Sequence, residues 1–186
     1  MSEARSFSKT QKYFKVYKDE IFRLYYLLGK IDCEIGIISL SKAYETGEAV
    51  FGNKIFGKNL YNPLIRNPVS NDLDLDKSII LTGSNASGKS TYLRTLGINV
   101  VFALSFGIFF GEEFEIKPIK ITSAIDISDS IMKNLSYFMA ESKAIGDMIE
   151  DESEKIILLD EIFRGTNTID RIASATATLK YLAKNN

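Results

Sequence analysis

The sequence predicts an α/β fold in which a mostly parallel sheet is flanked by helices and preceded by a short helical segment. Two apolar runs and one loop indicate this fold. The first run, residues 78–81, leads into a glycine-rich loop that a helix-competent stretch follows. The second run, residues 156–159, ends in two carboxylates. Continuous apolar strands are typical of parallel sheets, because helices cover both faces of such sheets.

Length and composition limit the classes of protein that the chain can belong to. The 186 residues are 45% hydrophobic, which predicts one domain over residues 47–186 with a helical segment over residues 1–46. The net charge is -1, so no overall basic field indicates nucleic acid binding. A single cysteine, Cys33, excludes a disulfide framework, and the absence of histidine excludes His-based catalysis. The polar N-terminus and the lack of a long apolar run predict a cytoplasmic protein with no membrane segment.

The N-terminal segment has the periodicity of amphipathic helices. Residues 9–28 are expected to form one helix, Gly29 to end it, and residues 31–44 to form a second. The apolar positions alternate at steps of three and four: Phe14, Tyr17, Ile21, Leu24 and Leu28. Either an arm that packs on something larger or a plain packing layer fits this pattern.

Shorter elements are predicted along the rest of the chain. Short strands are expected near residues 49–51, 54–56, 114–116 and 119–122. A helix is expected over residues 137–149 and another over 169–182. Thr168 is placed to cap the last helix, with Asp170 in its first turn.

The glycine-rich loop carries the pattern of a phosphate-binding P-loop. Residues 83–90 fit G-x-x-x-x-G-K-[ST] between a strand and a helix. The glycines let backbone N–H groups point at a phosphate, and the helix N-terminus adds its positive dipole end. Lys89 is placed to reach the β- and γ-phosphates, and the Ser90 hydroxyl to bind Mg²⁺. The alternative is an ordinary glycine turn. The predicted nucleotide-binding residues are Gly83, Ser84, Asn85, Ala86, Ser87, Gly88, Lys89, Ser90 and Thr91.

The second apolar run ends in Asp160 and Glu161, as the Walker B strand of a P-loop protein does. Ligands bind at the carboxyl ends of strands in open α/β sheets. Asp160 would hold Mg²⁺ through water, and Glu161 would orient or deprotonate the attacking water. A buried strand that runs into a charged turn is the alternative. The P-loop upstream favours the functional interpretation, because the two motifs complete one ATP site with Lys89 and Glu161 as its catalytic residues.

Three segments together resemble the ATPase domain of the MutS family of DNA mismatch repair proteins. Residues 82–94 are similar to TGPNMSGKSTYLR, residues 135–141 to S-T-F-M-x-E, and residues 159–167 to D-E-x-x-R-G-T-[ST/N]. Elements at residues 62–64 and 70–73 are similar to the family's H-P and P-N-D-x-x-L patterns. The likeness extends from about residue 10 to the end of the sequence.

The resemblance implies an ABC-type ATPase that binds ATP and Mg²⁺ and works as a homodimer with composite sites. Ser136 would contact the γ-phosphate of the partner's nucleotide, and a loop at the dimer interface would couple the two sites. That loop consists of Arg164, Gly165, Thr166 and Asn167. The helical segment over residues 1–46 would be the base of a lever to DNA-clamping domains. Mismatched or other structured DNA would bind through domains outside this chain, with other repair proteins as further partners at the nucleoid.

The sequence also departs from the family pattern. Asn62 replaces a histidine, Ser84 and Ala86 replace other loop residues, and the aromatic residue before the P-loop strand is missing. The family's γ-phosphate-sensing histidine lies on a further strand beyond the last helix. Three hypotheses follow: an ATPase of a DNA repair machine, a nucleotide-binding regulatory or dimerisation module without turnover, and a related ATPase with another task, such as nucleic-acid remodelling or transport. The signature segment argues against transport.

The missing strand leads to a prediction about the 186-residue chain by itself. Loss of a strand beside the Walker B strand would leave backbone groups unpaired and apolar surface exposed. We therefore expect the chain to bind nucleotide weakly, hydrolyse it slowly or not at all, and self-associate. Adding roughly 20–40 residues, a helix-to-strand connection and one strand, should restore activity. Multiple-turnover ATP hydrolysis by the monomeric 186-residue chain would contradict this prediction.

Overall fold

The chain forms two compact units in a computed structural model. The structure describes residues 13–125, 137–151 and 153–185. The first unit covers Met1–Glu45 and the second Thr46–Asn186. Among the described helices, none is both long enough and apolar enough to cross a lipid bilayer.

The first unit contains one long helix, α1, over Lys18–Ala43. It runs through Gly29, so the predicted end at that glycine and the two separate helices are wrong. A glycine in a helix interior costs only about 1 kcal/mol relative to alanine, which its neighbours in a long helix can offset. The helix ends at Tyr44, whose extended backbone still donates its N–H to the Leu40 carbonyl.

No residue of α1 is buried. The predicted apolar stripe is present on the helix, but its side chains are open to solvent. Ile21 is 43% exposed and Leu28 57% exposed, and both belong to that stripe. Aromatic side chains such as Tyr25 and Tyr26 are even more exposed, at 76% and 71%.

Three small sheets form the strand framework of the second unit. β1 and β5 pair antiparallel, whereas β7 and β8 pair parallel. The order in the four-stranded sheet is β2-β6-β3-β4, with one parallel pair, β2 and β6. The strands are β1 (Gly47–Glu48), β2 (Val50–Phe51), β3 (Phe56–Leu60), β4 (Asn71–Asp74), β5 (Ile108–Phe109), β6 (Glu113–Ile116), β7 (Lys120–Ala124) and β8 (Lys155–Leu159).

The structure therefore has a mixed α/β fold, and it does not show the mostly parallel sheet that the sequence predicts. Residues 78–81, expected as the strand before the P-loop, lie in none of the described sheets. Ile79 is 46% exposed and Ile80 75% exposed. A strand is stabilised by neighbours that pair with its N–H and C=O groups, and apolar residues alone do not supply them.

The second apolar run does form the predicted buried strand. β8 pairs with β7 in parallel register from Lys120 opposite Lys155 to Ala124 opposite Leu159. Helix α3, Tyr137–Glu150, lies in the connection between the two strands, which confirms the predicted helix. A parallel pair needs such a long crossover connection, because the chain must return from the end of the first strand to the opposite end of the sheet, where the second strand begins.

Helix α2, Lys89–Phe106, is central to the core of the second unit. Glycines at both ends have left-handed backbones, with φ of 91° at Gly88 and 72° at Gly107, a region that side chains disfavour. Gly107 donates its N–H to the Ala103 carbonyl and so caps the helix. The core around α2 combines the helix with residues from β3, β4, β5, β6 and β8 and with Ile55, which directly precedes β3. The buried members are Ile55, Leu60, Leu73, Leu96, Val100, Ala103, Phe109, Phe114, Ile116, Ile156 and Leu158.

One polar side chain, Asn99, lies fully buried within this apolar core. Its amide nitrogen donates to the Tyr61 carbonyl at 3.1 Å and to the Thr95 carbonyl at 2.9 Å. Its amide oxygen accepts the Phe110 N–H at 2.7 Å. Asn99 therefore ties α2 to the residues that follow β3 and β5.

The last helix, α4, spans Thr168–Asn185 and confirms the predicted C-terminal helix. The predicted cap at Thr168 is wrong, because Asn167 makes the capping contact. The Asn167 side-chain oxygen accepts the Asp170 N–H at 3.0 Å, and its amide nitrogen donates to the Asp170 carboxylate at 2.5 Å. Asparagine is a better N-cap than threonine, which accounts for the shift by one residue.

We predict that Asn99→Ala lowers the free energy of unfolding by about 2–3 kcal/mol, because it leaves a buried N–H group without an acceptor. Urea denaturation followed by circular dichroism measures the loss. Asn53→Ala is the matched control, since Asn53 is exposed, and should change stability by less than about 0.5 kcal/mol. Equal denaturation midpoints for Asn99→Ala and wild type would contradict the structural role of Asn99.

Candidate nucleotide-binding site

Residues 83–88, predicted as a P-loop, form a tight, exposed turn directly before α2. The Ser87 N–H donates to the Ser84 carbonyl at 3.3 Å. Ala86 has a φ of 63° and Gly88 one of 91°, so two residues of the turn are left-handed. The loop therefore ends at the N-terminus of α2, where unpaired N–H groups and the helix dipole attract an anion.

The ammonium group of Lys89 bends back over this turn. Its Nζ donates to the Gly83 carbonyl at 2.9 Å and to the Ser84 carbonyl at 2.7 Å. The Ser87 hydroxyl is a weaker third partner at 3.4 Å. Each acceptor is a neutral oxygen, so an anionic phosphate oxygen would be a stronger partner for the same ammonium group.

Tyr92 fixes the first turn of α2 to the sheet. Its hydroxyl donates to the main-chain carbonyl of Asp72, in β4, at 3.0 Å. Burial raises the pKa of Tyr92, and the nearby Asp72 carboxylate raises it further. The hydroxyl therefore stays protonated, and this contact holds the helix end that carries Lys89.

The two predicted carboxylates follow the C-terminal end of β8. The Asp160 N–H donates to the Ala124 carbonyl at 3.2 Å, which extends the pairing with β7. Glu161 then turns into a left-handed backbone with φ of 43°. Its Oε2 lies 2.7 Å from Arg164 Nη2, and both side chains are about half exposed.

The turn after Glu161 is held by apolar and polar contacts with α3. Ile162 and Phe163 are buried in a small cluster with Ile145 of α3. The Phe163 N–H donates to Glu141 Oε1 at 2.5 Å. Two buried residues, Ile162 and Phe163, thus lie between the exposed residues Glu161 and Arg164.

Packing of α2 on β8 joins the two motifs in one core. Leu96 and Val100 of α2 belong to the same buried cluster as Ile156 and Leu158 of β8. A Cβ placed on Gly97 would lie 3.2 Å from Leu158 Cδ1, so the glycine permits close approach of helix and strand. A groove of about 660 Å³ lies beside this contact. The groove is lined from α2 by Thr91, Leu93, Arg94, Gly97, Ile98 and Val101, and from β7 and β8 by residues that include Ile121, Ser123 and Leu158.

The structure thus brings some predicted site residues together and leaves others apart. Lys89 contacts the loop residues, Glu161 pairs with Arg164, and Asn167 caps α4. Ser136 lies outside the described residues, directly before the start of α3. In the described ranges, no three Asp, Glu, Cys or His side chains gather as a metal-binding group. The oxygens of Ser90 and Asp160 remain the donors proposed for Mg²⁺, and hard oxygen ligands are what Mg²⁺ prefers.

The contact of Glu141 with the turn after β8 was not predicted from the sequence, in which Glu141 is only part of the segment similar to S-T-F-M-x-E. A usable signal was present in the sequence. Phe138, Glu141, Ile145 and Ile149 follow one another at helical spacing, so an acid sits on an apolar stripe. Buried acids need hydrogen-bond partners, and such a position therefore indicates a specific contact.

Comparison with known proteins gives a consistent result. The family model described as MutS domain V matches residues 79–186. The DNA mismatch repair protein MutS of Caldicellulosiruptor bescii is 33% identical over 164 residues, which are 81% of this chain and 19% of that protein. The protein of the same name from Listeria monocytogenes is 29% identical over 204 residues, 98% of this chain and 23% of the relative.

A third relative, MutS of Fusobacterium nucleatum, is 38% identical over 123 residues, which are 63% of this chain and 14% of that protein. The chain spans about a fifth of the length of these relatives. The family model covers more than half of the chain and includes residues 83–91, Asp160, Glu161 and residues 164–167. The chain therefore belongs to the MutS family.

Proposed function

We propose that the chain is the ATP-binding and Mg²⁺-dependent ATP-hydrolysing part of a MutS-like DNA mismatch repair protein. The packing of α2 on β8 carries this proposal. The helix begins at Lys89, and the strand is followed directly by Asp160 and Glu161. One core therefore supports both a phosphate-binding loop and a pair of carboxylates, and ATP hydrolysis needs both.

ATP would bind with its phosphates at the turn over residues 83–88 and the N-terminus of α2. Lys89 would exchange its contacts with the Gly83 and Ser84 carbonyls for the β- and γ-phosphate oxygens. The loop is exposed, so phosphates can reach it without displacing packed side chains. The free N–H groups of the first turn of α2 would complete the binding of the anion.

The donors proposed for Mg²⁺ are of the kind that this ion prefers. Ser90 supplies a hydroxyl in the first turn of α2, and Asp160 supplies a carboxylate after β8. Both are oxygen donors of the kind that Mg²⁺ selects, and sulfur and imidazole ligands are absent from these positions. When bound, Mg²⁺ supplies neutralisation of the negative charge on the phosphates.

Glu161 is proposed to orient or deprotonate the attacking water. Its carboxylate is about half exposed and accepts from Arg164 at 2.7 Å. The pair must open, or turn toward the water together, before Glu161 can act as a base. A surface pair of this kind is weak, at about 0–1 kcal/mol, so opening it is an easy step.

We further propose that the protein acts as a homodimer through this unit, with Ser136 facing the partner's nucleotide. Arg164, Gly165 and Asn167 are exposed beside Glu161, which supports their role as an interface loop together with Thr166. Mismatched or otherwise structured DNA would bind through other parts of a longer protein, since relatives named DNA mismatch repair protein are about five times as long. We expect the protein in the cytoplasm, associated with the nucleoid.

A nucleotide-binding module without turnover is the second candidate. The Glu161–Arg164 pair favours it, because the proposed base is occupied in this structure. Single-turnover hydrolysis with the protein in excess over ATP separates the two functions. Conversion of bound ATP to ADP supports the ATPase, whereas stable bound ATP supports the binding module. A role other than mismatch repair is compatible with either outcome.

We predict that Lys89→Ala abolishes detectable ATP binding, with a loss of about 100-fold or more in affinity, because it removes a charged donor to two phosphates. Isothermal titration calorimetry with a non-hydrolysable ATP analogue measures the change. Lys54→Ala is the control, since Lys54 is an exposed lysine away from the loop. An unchanged affinity in Lys89→Ala would remove the P-loop assignment.

In a chain extended by the roughly 20–40 C-terminal residues described above, we predict that Glu161→Gln keeps Mg²⁺–ATP binding and slows hydrolysis by about 100-fold or more, because an amide cannot accept the proton of water. Rapid-quench single-turnover assays measure the rate, and calorimetry measures the affinity. Glu48→Gln, an exposed position on β1, should match wild type in both. Loss of ATP binding with normal turnover of the ATP that remains bound would show that the roles assigned here are wrong.

A further inference from the structure

Helix α3 carries a buried acid, Glu141, whose role lies outside the residues proposed above. Its side chain is 3% exposed and sits in the apolar cluster that α3 forms with the turn after β8. Burial of a carboxylate is costly unless hydrogen bonds replace those it makes with water. The contacts of Glu141 therefore indicate what keeps it in this place.

One carboxylate oxygen of Glu141 holds the backbone of the turn after β8. Oε1 accepts the Phe163 N–H at 2.5 Å, in a contact buried on both sides. The second oxygen, Oε2, is buried and has no hydrogen-bond partner among the residues that the structure describes. Among the described residues, the carboxylate thus makes one hydrogen bond, which it accepts from the turn, and belongs to no wider polar network. An unsatisfied buried oxygen reduces stability, so stability alone does not account for an acid here.

The backbone that Glu141 holds is strained. Glu161 and Phe163 have φ of 43° and 62°, both in the left-handed region that residues with side chains disfavour. Such conformations persist only where surrounding contacts impose them. Two contacts do so here: the Glu141 hydrogen bond to Phe163, and the packing of the Phe163 ring against Phe138 at a centroid distance of 5.9 Å.

We propose that Glu141 is a positioning residue that holds residues 161–165 in the strained turn that presents the Glu161 carboxylate. The inference rests on the proposed ATPase function. Through this hydrogen bond and the packing of Phe138 on Phe163, α3 is linked to the turn that follows β8. A displacement of α3 therefore moves Glu161, and the N-terminal end of α3 follows Ser136, the residue proposed to face the partner's nucleotide.

Substitution of Glu141 by methionine removes the acceptor while keeping the volume and shape of the side chain. In the chain extended by the C-terminal strand, we expect Glu141→Met to lower kcat for ATP hydrolysis by about 10- to 100-fold, since a small misplacement of a reacting group has effects of that size. The KM for ATP should stay within about twofold, because the P-loop is untouched. Glu141→Gln retains a carbonyl acceptor for the Phe163 N–H and should keep most of the wild-type kcat.

Glu150→Met and Glu150→Gln are the matched controls, since Glu150 is an exposed acid on the same helix. Both should match wild type in kcat and KM. A wild-type kcat in folded Glu141→Met would overturn the proposal. So would a loss in Glu141→Gln as large as the loss in Glu141→Met, because the acceptor would then not be what matters.

A double substitution tests whether Glu141 acts through Glu161. If it does, Glu141→Met combined with Glu161→Gln should be no slower than Glu161→Gln alone. Multiplication of the two single effects would overturn the proposal, since it would show that Glu141 acts by another route. A purely structural role would instead appear as equal loss in both backgrounds together with a lowered melting temperature.

Amide hydrogen exchange supplies a readout that does not depend on turnover. The Phe163 amide should be protected in wild type and in Glu141→Gln, and should exchange faster in Glu141→Met while core amides of α2 keep their protection. If the wild-type protein does not hydrolyse ATP, but the three proteins still show this exchange pattern, the proposed function is contradicted. The role of Glu141 in holding the turn is then supported. Equal exchange of Phe163 in wild type and Glu141→Met would overturn the inference. If Glu141→Met does not fold, fast Phe163 exchange in folded Glu141→Gln would overturn it in the same way.

Discussion

The buried amide of Asn99 is the contact on which the arrangement of the second unit depends. A polar side chain with no solvent exposure is tolerated there because it donates to Tyr61 and Thr95 and accepts from Phe110. Apolar packing around α2 is compatible with several rotations of the helix, since Leu, Val and Ala side chains adapt to one another. Hydrogen bonds are directional, so the amide selects one rotation.

That rotation has consequences at both ends of the proposed site. With Asn99 facing β3 and β5, Gly97 faces Leu158 of β8 and lets helix and strand approach closely. Tyr92 then reaches the Asp72 carbonyl and fixes the first turn of α2. The loop that precedes Lys89 is therefore placed by residues that have no part in the proposed phosphate binding. The same logic holds at the other motif, where Glu141 places a turn whose exposed residues would face ATP and a partner.

Strain is concentrated where chemistry is proposed. Ala86 in the phosphate loop, and Glu161 and Phe163 after β8, all have left-handed backbones without being glycine. Asn59 in β3 and Asn67 also have positive φ, but asparagine adopts this region more readily than alanine, glutamate or phenylalanine. Backbones of this kind commonly mark functional sites, because the protein fold supplies the energy that holds them. Two independent strained turns, each next to one of the two motifs, fit a site that is prepared before ATP binds.

Much of this protein was readable from sequence, and the physical reasons are local. The helix after the glycine-rich loop, the buried strand of residues 155–159, α3 and α4 were predicted because apolar runs, apolar periodicity and the glycine pattern report on nearby residues. The long-range contacts needed the tertiary structure. Whether residues 78–81 form a strand depends on partners distant in sequence, and in this structure they pair with none of the described strands. The passage of α1 through Gly29 was decided by the helix on both sides of it. The bond of Glu141 to Phe163, 22 residues away, was decided by folding alone. The sequence by itself indicated which residues are proposed to carry the chemistry. The packing of α2 on β8, and of α3 on the turn after β8, decided where those residues lie. Directional contacts between distant segments leave no periodic pattern in the sequence, so only the tertiary structure revealed them.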